Sequence, residues 1–439
     1  MFQAGKRFQM GSGPRDKARL FLSRVGFSGH PGRIVLLLLA FALLLVASYC
    51  YWQGRGPEAA GVASPSDSSS EIDLTSGFLR GMGPEGARLS PYCKGIYLTS
   101  WTAGTRRAEE LIRTVERTEL NAVVIDIKDS TGRIAYDSQV PLARQIGANE
   151  GRIRDIDALL SRCHRGAIYT IARIVLFQDP HLAKARPEWA VKDAGGGIWR
   201  DRKGLSWMDP ACQEVWRYNL ELAKEAALKG FDEVQFDYVR FPSDGKISLC
   251  TFPCWDKGVP KHEVIRQFFA WASSELAPYK VALSVDLFGL TLWRDDDLNI
   301  GQRIIDAMYY VDYICPMVYP SHYPPQFLGF QNPADHPYEI VYQSLIRGQS
   351  VLSQGRARAR LRPWLQDFNL GARYDAEKIL LQKQAVYDAQ SFGWVFWNPQ
   401  NRYTEAALEP DWVGRLLTIR EDREQSWMRG LCLEAASEG

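Results

Sequence analysis

The 439-residue chain reads as an α/β protein, a (β/α)8 barrel with an N-terminal membrane-anchor helix. Three observations predict the barrel. From Lys94 onward, eight β-favouring runs alternate with seven helix-compatible segments. The runs end in acids, cations and aromatics, and the C-terminal ends of parallel strands are where such folds assemble chemistry. No Gly-rich phosphate turn follows an early run, as a doubly wound open sheet would usually carry.

Residues 1–33 form a basic tail with seven Lys/Arg and one Asp. The remaining residues carry 46 basic and 50 acidic side chains, so the folded part has no basic surface for nucleic acid. Ile34 to Ala47 is an unbroken apolar run. With Ser48 to Trp52 added, residues 34–52 approach the about 20 residues a membrane span needs. Tyr49, Tyr51 and Trp52 fall where an interfacial aromatic belt would sit, and the positive flank places the tail in the cytoplasm. The expectation is a single-pass anchor in the inner (cytoplasmic) membrane with an extracytoplasmic domain. Its rival is a cleaved signal, leaving a secreted or periplasmic protein. Residues 53–92, rich in Gly, Pro, Ser and acids, read as a linker. The barrel is expected over 93–413 and a charged tail over 414–439.

The strand-like runs are Gly95–Ser100, Ala122–Asp129, Tyr169–Leu176, Glu233–Phe241, Val281–Gly289, Tyr313–Tyr319, Leu361–Phe368 and Gly393–Asn398. The helical segments between them are Arg106–Thr118, Ile153–Cys163, Gln213–Leu228, Glu263–Leu276, Ile300–Tyr310, Glu339–Ser350 and Ala376–Gln390. Two connections are long, from Phe177 to Pro210 with Trp189, Trp199 and Trp207, and from Ser243 to Pro260 with Cys250, Cys254 and Trp255. Long ordered loops are usually functional. Their tryptophans suit flat sugar faces and equally suit capping the barrel. Among the eight cysteines, Cys250 and Cys254 are the best candidates for a disulfide, while Cys163, Cys212 and Cys315 read as buried thiols. No ligand spacing for zinc occurs.

The run around FDEVQFDYVRFP (231–242) is the centre of the reading. It delivers Asp237 and Arg240 before Pro242, which cannot continue a ladder. The other runs deliver Asp126 and Lys128, Arg173, Asp286, Tyr319, Gln366 and Asp367, and Trp397 and Asn398. Alternation puts Asp126 and Lys128 on one face, where they could pair. Burying so many acids costs much unless they are paired or working. Glycoside hydrolysis uses two carboxyl groups, one donating a proton to the leaving oxygen and one attacking carbon or activating water. Asp237 is the expected nucleophile or base and Asp286 the first choice for acid, with Asp367 and Asp126 in reserve. Arg173 or Arg240 would keep the nucleophile ionised. Asp126, Lys128, Arg173, Arg240, Tyr319, Gln366, Trp397 and Asn398 are the expected substrate-binding residues. This chemistry needs no cofactor and no metal. A metal- or phosphate-dependent barrel, the other option weighed, would hold an ion between Asp126 and Asp237. No G-x-S-x-G turn occurs and His is scarce, which disfavours a serine or cysteine nucleophile.

Seven stretches carry a resemblance. They are KGIYLTSWTAG (94–104), NAVVIDIKDSTG (121–132), WMDP (207–210), GFDEVQFDYVRFPSDG (230–245), SVDLFG (284–289), VDYICPMVYPSHY (311–323) and LRPWLQDF (361–368). In this order, from about Lys94 to Asn401, they resemble the bacterial putative glycoside hydrolase family once catalogued as a domain of unknown function. The resemblance implies a TIM-barrel glycosidase-like domain and leaves the substrate open. The cysteine-bearing loop after Asp237 departs from the family pattern. The function expected is cleavage of a cell-envelope or extracellular glycan; the alternative is a non-catalytic glycan-binding barrel.

Overall fold

The computed structural model describes residues 92–410. The basic tail, the 34–52 anchor, most of the linker and the C-terminal tail lie outside the described residues. Among the described residues, no helix is long and apolar enough to cross a membrane.

All strands are parallel and close into one barrel. They are β1 (Cys93–Leu98), β2 (Ala122–Lys128), β3 (Tyr169–Val175), β4 (Glu233–Asp237), β5 (Ala282–Phe288), β6 (Tyr313–Met317), β7 (Arg360–Leu361), β8 (Trp364–Gln366) and β9 (Gly393–Trp397). β7 and β8 share one strand position, so nine segments fill eight places around the ring. β5 pairs with β6 and β9 with β1, which completes the closure. At that last seam Gly393 has φ +90°, and a Cβ there would lie 2.1 Å from the Cys93 carbonyl oxygen. Only glycine fits so close an approach.

Of the ten α-helices among the described residues, seven correspond to the expected helical segments: α1 (Arg106–Arg117), α2 (Ile156–Arg165), α3 (Gln213–Lys229), α4 (Lys261–Leu276), α5 (Ile304–Ala307), α6 (Pro337–Gln354) and α7 (Ala376–Asp388). Their starts follow from capping chemistry. Asp155 accepts from the Ala158 N–H at 2.8 Å, and Asp375 from the Lys378 N–H at 3.2 Å. Each helix turns an apolar face to the sheet; in α1 that face is Leu111, Ile112 and Val115.

Three elements differ from the sequence expectation. β4 stops at Asp237 rather than running to Phe241, because Tyr238 turns to φ +52°. The seventh strand position breaks at Arg362-Pro363, where proline has no N–H for the ladder. The helix expected over Ile300–Tyr310 shrinks to α5. Leu298, Asn299 and Gly301 all have positive φ, which delays the helical turn.

Two cores result. The shell between sheet and helices is mainly apolar, and Phe268 of α4 is one of its anchors, meeting Phe236 of β4 at 5.4 Å. Val234 and Phe236 belong to this shell, so alternation turns Glu233, Gln235 and Asp237 into the barrel. The interior mixes apolar side chains such as Val124, Ile171 and Val395 with buried charges.

Candidate active site

The charges fall into two groups along the barrel axis. Near the N-terminal ends of the strands, Arg362 Nη1 donates to Glu233 Oε2 at 2.9 Å, and both side chains are completely buried. Arg362 Nη2 and the Ser284 hydroxyl donate to the other Glu233 oxygen. Four residues further along β4, Asp237 stands at the C-terminal mouth.

There Arg173 of β3 is the hub. Asp126 pairs with it directly across β2 and β3. One guanidinium nitrogen donates to Asp126 and another to Asp237, while its Nε lies 3.8 Å from Asp286 Oδ2. The Tyr97 hydroxyl donates to the second Asp126 oxygen, and Trp364 Nε1 donates to Asp286 Oδ1 at 2.6 Å. Asp237 Oδ1 accepts the N–H of Tyr238 at 2.5 Å, so the left-handed turn after β4 orients the carboxylate. β4 and β5 run in register, with Gln235 opposite Ser284 and Phe236 opposite Val285. That places Asp237 and Asp286 side by side on strands about 4.8 Å apart.

Three carboxylates share one guanidinium, so the cluster carries more acid than base. Burial opposes the charge on Arg173, but the Asp126 and Asp237 carboxylates outweigh it and hold the guanidinium ionised. Burial pushes Asp126 above the ordinary carboxylate range. Asp286 rises well above that range, first through burial and then through the charge of Asp237. A carboxyl group held this far above its ordinary range is suited to donate a proton.

The mouth is a cleft of about 560 Å³. Arg173, Asp237, Arg240, Asp286, Tyr319 and Trp397 line it. These six residues, far apart in the chain, were among those expected at the site, and the structure brings them together. Asp126 sits behind them as the second anchor of Arg173.

Four expected site residues lie elsewhere. Lys128 does not pair with Asp126. A register shift between the two turns it away, and its ammonium meets Asp179 at 2.8 Å and the Val175 carbonyl at 2.6 Å, fully buried. Asp367 accepts from the Thr404 N–H and hydroxyl, each at 2.8 Å, and holds the segment after β9. Asn398 donates to the Asp367 carbonyl. Gln366 accepts from the Ser321 hydroxyl at 2.8 Å and donates to the Phe368 carbonyl at 2.9 Å. These three fasten loops together instead of facing the cleft. The position between Asp126 and Asp237, which the metal reading reserved for an ion, is filled by the Arg173 guanidinium.

The long loops roof the mouth. Asp209 Oδ2 accepts from the N–H groups of Cys254 and Trp255 at 2.7 and 2.9 Å, tying one loop to the other. Of their tryptophans, Trp207 lines the cleft, while Trp199 is buried and Trp255 packs on Phe241 at 5.3 Å. Capping therefore explains Trp199 and Trp255. Cys250 and Cys254 are both free thiols, and the Cys212 thiol donates to Glu214 Oε2 at 3.2 Å.

Sequence reasoning missed Tyr97, Tyr238 and Trp364. Tyr97 stacks on Trp397 at 4.1 Å. Trp364 lies two residues before Gln366, and alternation would have exposed its inward role had the strand break at Pro363 been anticipated.

The profile of the family described as putative glycosyl hydrolase domain matches residues 95–403. The chain belongs to this family. It is the one the seven motifs pointed to. A hypothetical protein from Ruminiclostridium thermocellum is 40% identical, over 47% of this chain and 100% of its own, with a TM-score of 0.41. The PgaB (BpsB) glycoside hydrolase domain from Bordetella bronchiseptica is 11% identical, over 70% of this chain and 94% of its own, with a TM-score of 0.51. At that identity it shares the fold of this putative glycosyl hydrolase domain. No curated protein matches the chain.

Proposed function

We propose that this barrel hydrolyses a cell-envelope or extracellular polysaccharide, with Asp286 as proton donor and Asp237 as nucleophile or water-activating base. The observation that carries the reading is the acid excess on Arg173 at an open mouth, two of whose carboxylates line the cleft. Arg173 donates to Asp237 and holds that carboxyl group in place for attack on carbon or for activating water. Asp286 retains its proton above the ordinary carboxylate range and delivers it to the leaving oxygen. Trp364 fixes the orientation of that carboxyl. Trp397 and Tyr319 supply aromatic walls for sugar rings. Residues 34–52 support tethering of the domain to the inner membrane on its extracytoplasmic side.

The test is release of reducing ends from a panel of envelope and extracellular polysaccharides by wild type and Asp237→Asn. The reading expects one polysaccharide to be cut by wild type and bound but left intact by the variant. Equal turnover by the two proteins removes Asp237 from the mechanism. Binding by wild type without cleavage of any panel member favours the glycan-binding alternative.

A further inference from the structure

Arg240 is a cation the proposed hydrolytic machinery does not use. It follows β4 on the left-handed turn, is 7% exposed and lines the cleft beside the acid cluster. Aromatic rings surround it; its guanidinium carbon lies 4.7 Å from the Trp207 ring centre, 4.8 Å from Phe288 and 5.0 Å from Tyr238. Among the described residues its hydrogen bonding is limited to one contact, Nη1 to the Phe241 carbonyl at 3.1 Å. A guanidinium has five N–H donors, and a buried charge without a partner is costly.

The neighbouring acids are engaged or distant. Asp237 belongs to Arg173. Asp201 accepts from Gln178, from the Trp207 indole and from two backbone N–H groups. Asp244, half-buried on the cleft wall, acts on Arg240 through space without reaching ion-pair distance. Lys203 lines the same wall, and its ammonium has no ion pair among the described residues. One part of the cleft therefore gathers acids on Arg173, while Arg240 and Lys203 line it without an ion pair of their own among the described residues.

We infer that the glycan is acidic, and that Arg240, with Lys203 nearby, receives the carboxylate of a uronic acid or similarly carboxylated sugar next to the scissile bond. The planar fork of arginine matches a carboxylate with paired hydrogen bonds, and its aromatic surroundings hold that fork in place. The inference rests on the glycan-cleaving reading for the kind of ligand, but its test is independent of cleavage.

The test is calorimetric titration of the full chain, as wild type and as Asp237→Asn, with matched pairs of ligands. Each pair is an acidic oligosaccharide and its methyl ester, with oligogalacturonate, oligomannuronate and oligoguluronate as scaffolds. The expectation is that at least one acid form binds about tenfold or more tighter than its ester, the scale of one charge-assisted contact. Arg240→Gln should bring acid and ester to the same affinity. Arg240→Lys should keep part of the preference, since it retains charge without the fork, and it serves if the glutamine variant fails to fold. Asp244→Asn should leave the preference or strengthen it. Failure of every acid form to bind, equal affinity of acid and ester, or a preference that survives loss of Arg240 overturns the inference. Arginine-dependent binding by a protein that cleaves nothing defeats the hydrolase reading alone.

Discussion

The barrel interior holds two ionic centres roughly 13 Å apart along β4, and they are built on opposite principles. The lower one is a closed pair. Glu233 and Arg362 match one charge with one and are fully buried, and Glu233 also accepts from the Ser284 hydroxyl. The upper one is open and unbalanced, with Asp126, Asp237 and Asp286 around Arg173 at the cleft. A balanced buried pair has no proton to give and no vacancy for a ligand. Burial and the charge of a neighbouring acid hold the Asp286 carboxyl well above its ordinary range, which is what a proton donor needs. The difference shows why burial of charge alone does not mark an active site; surplus and access do.

Four substitutions would break or sharpen this contrast. The largest effect is expected from Asp237→Asn, which should lower turnover of the cleaved glycan by about 10³-fold or more in reducing-end assays. Glu233→Gln comes next. It leaves Arg362 buried and uncompensated, and should cost about 3–5 kcal/mol in denaturant unfolding while turnover per folded molecule stays near wild type. Asp286→Asn should reduce turnover about 10²-fold and change its pH dependence. Wild-type activity should fall as pH rises through the elevated pKa of Asp286, because the donor loses its proton. In the variant that alkaline limb should vanish from the pH–rate profile. The smallest effect is expected from Trp364→Phe, which removes one hydrogen bond to Asp286. It should lower turnover about tenfold and displace the alkaline limb upward, since that bond favours the ionised form.

The fold was largely legible because it depends on local periodicity. Each strand position and helix left its own pattern, and Phe236 pointing outward fixes Asp237 pointing inward within a few residues. Boundaries failed where backbone conformation overrides composition, at Tyr238 and at Leu298 to Gly301. The cleft was legible in its strand-end residues, since a closed parallel barrel must converge them. The lower pair was not read, because Glu233 and Arg362 are 129 positions apart and neither looks buried in isolation. Lys128 misled for a related reason. A single register shift after Asp126 moved it off the shared face, and no pattern in AVVIDIK announces that shift. Asp367 and Asn398 resemble site residues in sequence, yet their partners Thr404 and Asp367 make them loop fasteners.

The central claim is that the upper cluster exists for chemistry and the lower pair for architecture. Thermal unfolding of Asp237→Asn, measured beside its turnover, tests it most directly. Neutralising one of three carboxylates on a single guanidinium should leave stability within about 1 kcal/mol of wild type while turnover disappears. A variant that loses several kcal/mol of stability yet cleaves its glycan at the wild-type rate per folded molecule would contradict it.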